Sequence, residues 1–382
     1  MDTTPLPRHE FPVVEQYHYF DHATSSPLPM SAVRATRAYL EDVARRGSVG
    51  RAGWEESVEE VRSSAAALLG VPVSTVAFVK NTTEGLSFVA NGIDWQPGDR
   101  VIIPDHEFPS TVYPWIALQE RGVTVDFIEP LGPGWTLPLD GFEKALAAGP
   151  ARLVAMSWVQ FGRGWRSDLA QLASSCHAHG ALLCADAIQG LGVIPADFAA
   201  WGVDFAVADA GKWMLGPVGT GLFYVAERCL DLLLPSEPGW ASVAHRGDLH
   251  NLKLIYDDSA RRFEGGAPSI ETVVQMGASI DLLRGVGIDA IWTHVDGLLD
   301  RAVDGLEGRG VVTWSDRHPD GRGPFITVGI PGRDADDVWR QLRHQHLICG
   351  LSGEGVRIAP HGYNTETEID DLVKALRQIA QG

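Results

Sequence analysis

The sequence predicts an α/β fold in which helices sandwich a mostly parallel central sheet and a smaller α+β domain follows. Short apolar runs alternate with helical patterns from residue 75 to about residue 245, and these runs are apolar at nearly every position. Strands of a parallel sheet covered on both faces have that composition. The change to polar, irregular sequence after residue 245 indicates a second domain. We therefore expect an N-terminal segment over 1–18, a large domain over 19–245 and a small domain over 246–382.

The predicted elements follow one another in βα order along the large domain. Its strands are predicted over 75–80, 99–105, 123–129, 151–159, 181–186, 203–209 and 219–227. Its helices are predicted over 82–93, 110–122, 141–149 and 167–180, the last ending in a glycine typical of a helix C-cap. In the small domain, helical patterns over 270–287, 291–310, 335–345 and 368–380 accompany strand patterns over 310–315, 324–330 and 355–360.

Composition excludes several classes of partner. The formal net charge is -18 and no run of Lys or Arg is present, so we expect neither nucleic acid nor an anionic membrane surface as a partner. No apolar run approaches the length of a membrane span, and the first residues lack the features of a signal peptide. The four cysteines are scattered without metal-ligand spacing, which predicts free thiols in a reducing compartment, a cytoplasmic location and no metal site.

Polar residues that directly follow predicted strands carry the first functional signal. In open α/β sheets ligands bind at the carboxyl ends of the strands. Asp186 ends one strand, Gln189 lies three residues later, and Lys212 follows the next strand. A lysine amine for a Schiff base, a carboxylate for a pyridine nitrogen and an amide for a phenolic oxygen together match pyridoxal 5'-phosphate (PLP). Alone, Asp186 could equally be a helix N-cap and Lys212 a solvated turn residue.

The stretch "KNTTEGLSF" (80–88) adds a candidate phosphate site. Thr82 and Thr83 open a predicted helix directly after a strand, with Glu84 in the first turn. The free N–H groups and partial positive charge of a helix N-terminus favour a phosphate. Ordinary capping by Thr82 with help from Glu84 is the alternative. Together with Asp186 and Lys212, the pattern favours phosphate binding.

Seven segments in order resemble the motifs of one enzyme family. They are "YFDHATSSPLP" (19–29), "NTTEGL" (81–86), "DHEFPSTVYPW" (105–115), "SWVQFGRGWRSDL" (157–169), "CADAIQGLGVIPAD" (184–197), "GKWMLGPVGTGLFYV" (211–225) and "GVRIAPHGYNTETEID" (355–370). The chain resembles the class V aminotransferase group of fold-type I PLP-dependent enzymes, which includes cysteine desulfurases and isopenicillin-N-epimerase-like proteins. This resemblance covers nearly the whole chain and implies that residues 19–245 form a PLP-binding domain.

The resemblance assigns further residues to the site. It implies that Phe108 covers the cofactor ring in the place often taken by histidine, that Gln160 lies near the cofactor oxygen, and that Arg357 binds the substrate carboxylate. His22 is a candidate substrate contact, although a lone histidine is more often structural. Arg163 and its neighbour Arg166 suit either a substrate acid group or a surface pair.

Three positions depart from the family pattern. Many relatives carry Ser-x-His before the lysine, whereas this chain has Asp209 and Gly211, so Asp209 joins the cofactor-site candidates without being able to donate to a phosphate. The loop "RFEGGAPSI" (262–270) resembles a segment that crosses to the neighbouring subunit, with Ala267 where relatives often have a hydroxyl. That loop implies a homodimer.

The function implied is that of a PLP-dependent transferase acting at Cα of an amino acid through an external aldimine, most simply an aminotransferase or epimerase. The alternative is a cysteine desulfurase or C–S lyase, although Cys349 lies in an apolar run without the long exposed loop that a persulfide-forming cysteine needs. A second alternative is a non-catalytic PLP-fold binding protein, which the departures at Asp209, Gly211 and Ala267 suggest. A nucleotide-binding oxidoreductase would need a G-x-G-x-x-G after the first strand, and none follows it.

Overall fold

The computed structural model describes residues 4–382, and the strands in that range form two sheets. In chain order the strands are β1 (His18–Phe20), β2 (Val76–Val79), β3 (Arg100–Pro104), β4 (Thr124–Ile128), β5 (Leu153–Ser157), β6 (Leu182–Asp186), β7 (Phe205–Asp209), β8 (Gly221–Val225), β9 (Val312–Thr313), β10 (Ile326–Gly329), β11 (Leu347–Ser352) and β12 (Gly355–Ile358). The seven-stranded sheet has the order β2-β8-β7-β6-β5-β3-β4, and the five-stranded sheet has the order β1-β11-β12-β10-β9.

The prediction of a mostly parallel central sheet is confirmed. Strands β4, β3, β5, β6 and β7 pair in parallel, whereas β8 runs antiparallel to both β7 and β2. The residues of β2, β5 and β8 are buried throughout, as strands covered on both faces should be. Because the parallel strands all end at one edge, the residues that follow β6 and β7 are brought together there.

Helices pack against both sheets. Within residues 4–382 the α-helices are α1 (Met30–Arg46), α2 (Arg51–Leu69), α3 (Thr82–Gly92), α4 (Pro109–Ile116), α5 (Leu139–Ala147), α6 (Leu169–Ala178), α7 (Ile270–Val286), α8 (Ile288–Leu306), α9 (Ala335–His344) and α10 (Glu366–Gln381). Helices α3 and α6 contact the central strands, and α7 packs along both α1 and α2. No helix in the described part of the chain is long and apolar enough to cross a membrane.

The first strand joins the second sheet, although it lies at the other end of the chain. His18–Phe20 pair in parallel with Leu347–Cys349, and the neighbouring Asp21 forms a bridge with Ala359. The sequence analysis placed residue 19 at the start of the large domain and did not identify β1, β11, α1 or α2. Residues 18–21 therefore pair with strands near the C-terminus of the chain. The predicted boundaries at 18 and 245 stay a prediction.

Candidate active site

Lys212 lies three residues beyond the end of β7, at the edge where the parallel strands terminate. Its Nζ is 5.9 Å from the centre of the Phe108 ring. Burial, reinforced by the positive charge of Arg357, lowers the pKa of Lys212 to about 8, while Asp186, Asp209 and Asp21 act in the opposite direction. About half of the amine is therefore neutral at a pH near 8, and the neutral amine is the state that acts as a base or nucleophile.

Asp186 ends β6 and is buried next to this lysine. Its carboxylate accepts hydrogen bonds from the Thr111 hydroxyl at 3.0 Å and from the Ile188 amide at 3.0 Å. Burial raises the pKa of Asp186, whereas these two donors and Lys212 lower it. A carboxylate has about four acceptor positions, so two donors leave room for the N–H of a ligand. The structure thus brings together the two residues on which the sequence prediction depends.

The start of α3 presents two hydroxyl groups at the same edge. Asn81, not Thr82, caps this helix, because the Asn81 side chain accepts the Glu84 amide at 3.0 Å. Capping by Thr82, the alternative interpretation from sequence, is therefore wrong. Thr82 instead accepts the Asp209 amide at 3.2 Å, and the Thr83 hydroxyl lies 2.9 Å from that of Ser110. A phosphate role for Thr82 and Thr83 stays a prediction.

Asp209 holds the turn that carries Lys212. Its Oδ1 accepts the Gly211 amide at 2.7 Å, and its carboxylate also accepts the Gly219 amide. Burial raises the pKa of Asp209, and these two amides oppose that shift. As an acceptor of backbone donors, Asp209 links the lysine turn to the following glycine loop, while its place among the cofactor-binding residues stays a prediction.

The two glutamines of the site are engaged by the protein itself. Gln189 donates to the Ala23 carbonyl at 3.0 Å and accepts the Trp213 indole N–H at 2.9 Å, next to Lys212. Gln160 donates to the His106 carbonyl at 2.8 Å, and its Oε1 accepts two amides of the turn that follows. Both side chains therefore position the residues around the site, and the predicted contacts of Gln160 and Gln189 with a cofactor oxygen stay predictions.

Arg357 lies on β12, buried beside Lys212 in the electrostatic neighbourhood of the site. It donates to the Phe161 carbonyl at 2.8 Å and to the Thr24 hydroxyl at 2.7 Å. Its Nε is buried without any hydrogen-bond partner, and burial lowers the pKa of Arg357 to about 10. A buried donor without an acceptor is costly, so this guanidinium has unused capacity for an anionic ligand.

The structure gives His22 a structural role, and the substrate contact considered from the sequence stays a prediction. His22 is completely buried, with Nδ1 at 2.7 Å from the Ala359 carbonyl and Nε2 at 2.7 Å from the Tyr363 hydroxyl. Burial and the neighbouring His361 lower the pKa of His22 well below its usual value. His22 thus joins the N-terminal strand to the C-terminal domain, which is the structural role that the sequence analysis gave as the alternative.

Sequence reasoning missed several residues that complete the site. Thr111 donates to Asp186, Thr24 accepts Arg357, and the Phe161 ring meets the Phe108 ring at 5.5 Å in an edge-on arrangement. All three lie inside the seven segments that resemble the family motifs. Thr111 and Phe161 lie close in sequence to Phe108 and Gln160, and Thr24 lies close to His22, but the directions of their side chains depend on tertiary packing.

The four cysteines are all buried and free. Burial raises the pKa of the Cys349 thiol, with a smaller contribution from Asp21. Cys349 lies within β11, and the turn from β11 to β12 is short, because Ser352 pairs directly with Gly355. A thiol in this position is inert toward a substrate.

The arrangement fits pyridoxal 5'-phosphate. A partly neutral lysine amine, a buried carboxylate with spare acceptor capacity and hydroxyl groups at a helix start lie at one edge of the sheet. An aromatic ring lies near the amine, and an arginine with an unpartnered buried Nε lies beside it. These are the groups that the aldehyde, the ring nitrogen, the phosphate and an amino-acid carboxylate would need.

Comparisons with known proteins agree with this architecture. The family model "Aminotransferase class-V" matches residues 18–372. A cysteine desulfurase of Dickeya dadantii (strain 3937) is 31% identical, over 97% of this chain and 95% of its own length. The apo structure of a cysteine desulfurase from Thermococcus onnurineus NA1 shares the fold with a TM-score of 0.89 at 24% identity, covering 100% of both chains.

A second solved structure has the same fold. The cystine C–S lyase C-DES, in complex with its reaction product cysteine persulfide, has a TM-score of 0.86 at 21% identity, covering 96% of this chain and 99% of its own. These likenesses confirm the predicted fold-type I architecture. Since the family model extends over nearly the whole sequence, the chain belongs to the class V aminotransferase family.

Proposed function

We propose that this protein is a PLP-dependent lyase that cleaves the C–S bond of a sulfur-substituted amino acid. The observation that carries the proposal is a complete lysine–aspartate–arginine site, Lys212, Asp186 and Arg357, in a chain whose four cysteines are all buried. Elimination at Cβ needs a base at Cα but no thiol on the protein. A persulfide-forming desulfurase, by contrast, needs an accessible cysteine thiolate.

The relatives support sulfur chemistry more than the aminotransferase or epimerase activity expected first from the sequence. The Dickeya dadantii relative is named as a cysteine desulfurase, and C-DES is named as a cystine C–S lyase with cysteine persulfide as its product. Between these two reactions, the buried position of Cys349 favours the lyase. A non-catalytic binding role is not needed to explain Gly211 or Asp209, because the Asp209 carboxylate organises the lysine turn.

Bound PLP supplies a ring that accepts the electron pair released at Cα of the amino acid. Asp186 would accept a hydrogen bond from the protonated ring nitrogen, because its buried carboxylate is bonded to Thr111 and has acceptor capacity to spare. Phe108 covers a face of the site with a ring that carries no exchangeable proton. Arg357 binds the α-carboxylate through donors that Phe161 and Thr24 leave unused.

Lys212 does the proton transfers. With its pKa lowered to about 8, the neutral amine removes the Cα proton of the substrate. The Cβ–S bond then breaks with its electron pair on sulfur, and the Lys212 ammonium protonates the departing sulfur. With cystine and one water, the products are pyruvate, ammonia and cysteine persulfide, so all atoms and electrons balance without any other reactant.

The test measures the products from L-cystine and L-cysteine with the holoenzyme. We expect pyruvate and ammonia to form in step with persulfide from cystine. Alanine together with sulfur on the protein would indicate desulfurase chemistry. A keto acid that retains its sulfur would indicate transamination, and loss of optical activity alone would indicate epimerisation; either result would overturn the proposal.

Replacing Cys349 distinguishes a C–S lyase from a persulfide-forming desulfurase. We expect Cys349→Ala to keep kcat within about twofold of the original value, because the buried thiol reaches no substrate. The cost is about 1 kcal/mol of folding stability for the small cavity. Cys229→Ala, at a buried cysteine bonded to Asp204, is the matched control. Loss of sulfur release in Cys349→Ala alone, with both variants folded, would favour the desulfurase.

The protein forms a homodimer in this proposal. The extended segment before the 262–270 loop exposes a series of apolar side chains, including Leu249, Leu252 and Leu254. Large exposed apolar patches mark interaction surfaces, and closed homodimers are the commonest assembly. We expect light scattering to give twice the chain mass of 41.3 kDa. A particle of single-chain mass at micromolar concentration would contradict the dimer.

A further inference from the structure

Arg163 is a cation that the protein flanks with aromatic rings but does not neutralise. Its guanidinium carbon lies 4.7 Å from the centre of the Trp135 ring and 4.4 Å from that of Trp314, so the charge is held between two indoles. Its Nε and Nη1 are buried, and neither has a hydrogen-bond partner. Among residues 4–382, Glu354 is the acidic residue whose charge acts on Arg163, and it forms no ion pair with the guanidinium.

Two other arginines of this chain, Arg62 and Arg317, are paired with carboxylates. Arg62 pairs with Glu264, Arg317 pairs with Asp296, and both donate additional hydrogen bonds. Leaving several guanidinium donors unpaired is costly, and the two indole faces compensate only part of that cost. An arginine fixed in orientation, with its fork of donors unused, has the properties of a receptor for an oxyanion.

The residues that fix Arg163 are themselves strained. Trp135 has a φ of 50° and His106 a φ of 60°, a left-handed backbone conformation that is uncommon for such bulky residues. The two rings stack on each other with centres 4.7 Å apart. The fold therefore holds the column His106–Trp135–Arg163–Trp314 in place although two of its residues adopt an unfavourable backbone conformation. Such backbone strain is often found at functional sites.

Arg163 lies on the same turn that forms a wall of the active site. The Phe161 carbonyl accepts Arg357, the Phe161 ring contacts Phe108, and the Arg163 amide is tied to Gln160 Oε1 at 2.6 Å. Phe161 and Arg163 are two positions apart in the sequence, so their Cα atoms are at most about 7.6 Å apart. An amino acid whose carboxylate is bound by Arg357 would extend its side chain over this distance.

We propose that Arg163 binds a second anionic group at the far end of the substrate side chain. This inference rests on the proposed C–S lyase function and names its substrate class: cysteine S-conjugates whose sulfur substituent ends in a carboxylate or a similar oxyanion. Arg357 binds the α-carboxylate, Arg163 binds the distal anion, and the Cβ–S bond lies between them. The indoles exclude water from the guanidinium and so strengthen that contact.

The first experiment compares two conjugates of similar size with the holoenzyme. We expect S-(2-carboxyethyl)-L-cysteine to be cleaved with a kcat/KM at least about tenfold above that of S-propyl-L-cysteine, the gain typical of a charge-assisted pair. Arg163→Gln removes most of this preference through a higher KM for the carboxylated conjugate, and Arg163→Lys restores part of it. Equal kcat/KM values for the two conjugates in the original protein would overturn the inference.

Arg166→Gln is the matched control, because Arg166 lies on the same segment and its guanidinium carbon is 5.7 Å from the Trp292 ring centre. The control should keep the full preference for the carboxylated conjugate. If Arg166→Gln reduces the preference as much as Arg163→Gln does, the effect is general charge attraction and the assignment to Arg163 is wrong.

A binding measurement separates this inference from the proposed reaction. Calorimetry with glutarate and pentanoate probes the two-arginine site without any cleavage, and we expect glutarate to bind at least about tenfold more tightly in the original protein but not in Arg163→Gln. If neither conjugate is cleaved but glutarate keeps its advantage, the proposed reaction fails and the anion site stands. If conjugates are cleaved and glutarate shows no advantage, the reaction stands and the anion site fails.

Discussion

Lys212→Ala is expected to lower the kcat for C–S cleavage by at least about 10³-fold, which is the range for loss of a well-placed acid–base group. The amine lies at the edge where β6 and β7 end, and burial beside Arg357 lowers its pKa to about 8. A methyl group in its place has no base for the Cα proton and no acid for the departing sulfur. The measurement is pyruvate formation from cystine under single-turnover and steady-state conditions.

Lys212→Arg is the control that keeps the positive charge. Because a guanidinium stays protonated at all accessible pH values, it cannot act as a base, and we expect the same loss as with alanine. A second readout is covalent: borohydride should fix the cofactor's mass onto the peptide that contains Lys212, and on no peptide in either variant. Cleavage within tenfold of the original rate in Lys212→Ala would remove this residue from the chemistry.

Lys212 and Asp186 could be predicted from the sequence because the signal is local. An apolar run followed by a polar residue marks the end of a buried strand, and parallel strands carry their ends to one edge. The mostly parallel sheet follows from the same alternation. Helix α1 has a weak apolar signal, because Ala32 is its only buried residue, whereas α2 buries seven residues and was not predicted although its pattern is more apolar.

Side-chain directions that depend on distant parts of the chain could not be predicted. His22 is near the site in sequence, yet its ring is bonded to Tyr363, 341 residues away. The column around Arg163 likewise combines Trp135 with Trp314, which come from different domains of the predicted scheme. Such contacts depend on tertiary packing. Neither the periodicity of apolar residues nor the spacing of motifs indicates which side chains meet in this way.

The second large expected effect is a loss of folding stability when the buried ion pair between Arg62 and Glu264 is broken. Arg62 on α2 donates to both carboxylate oxygens of Glu264, at 2.5 and 3.1 Å, and the Phe78 amide of β2 donates to Glu264 at 2.9 Å. Both side chains are almost fully buried. The pair thereby attaches the 262–270 loop to the strand that leads into α3, where Thr82 and Thr83 lie.

Glu264→Gln is expected to lower the free energy of unfolding by about 3 kcal/mol, the lower end of the range for a broken buried pair, because Glu59 still contacts Arg62. Urea denaturation of the holoenzyme measures this free energy.

Replacing both partners, Arg62→Met with Glu264→Leu, leaves no unpaired charge. The double change should therefore lower the free energy of unfolding by less than the single change. Glu55→Gln, in the exposed pair with Arg51, is the surface control and should cost under about 1 kcal/mol. If Glu264→Gln costs no more than Glu55→Gln, then the loop is attached by its apolar contacts. In that case the phosphate end of the site does not depend on this ion pair.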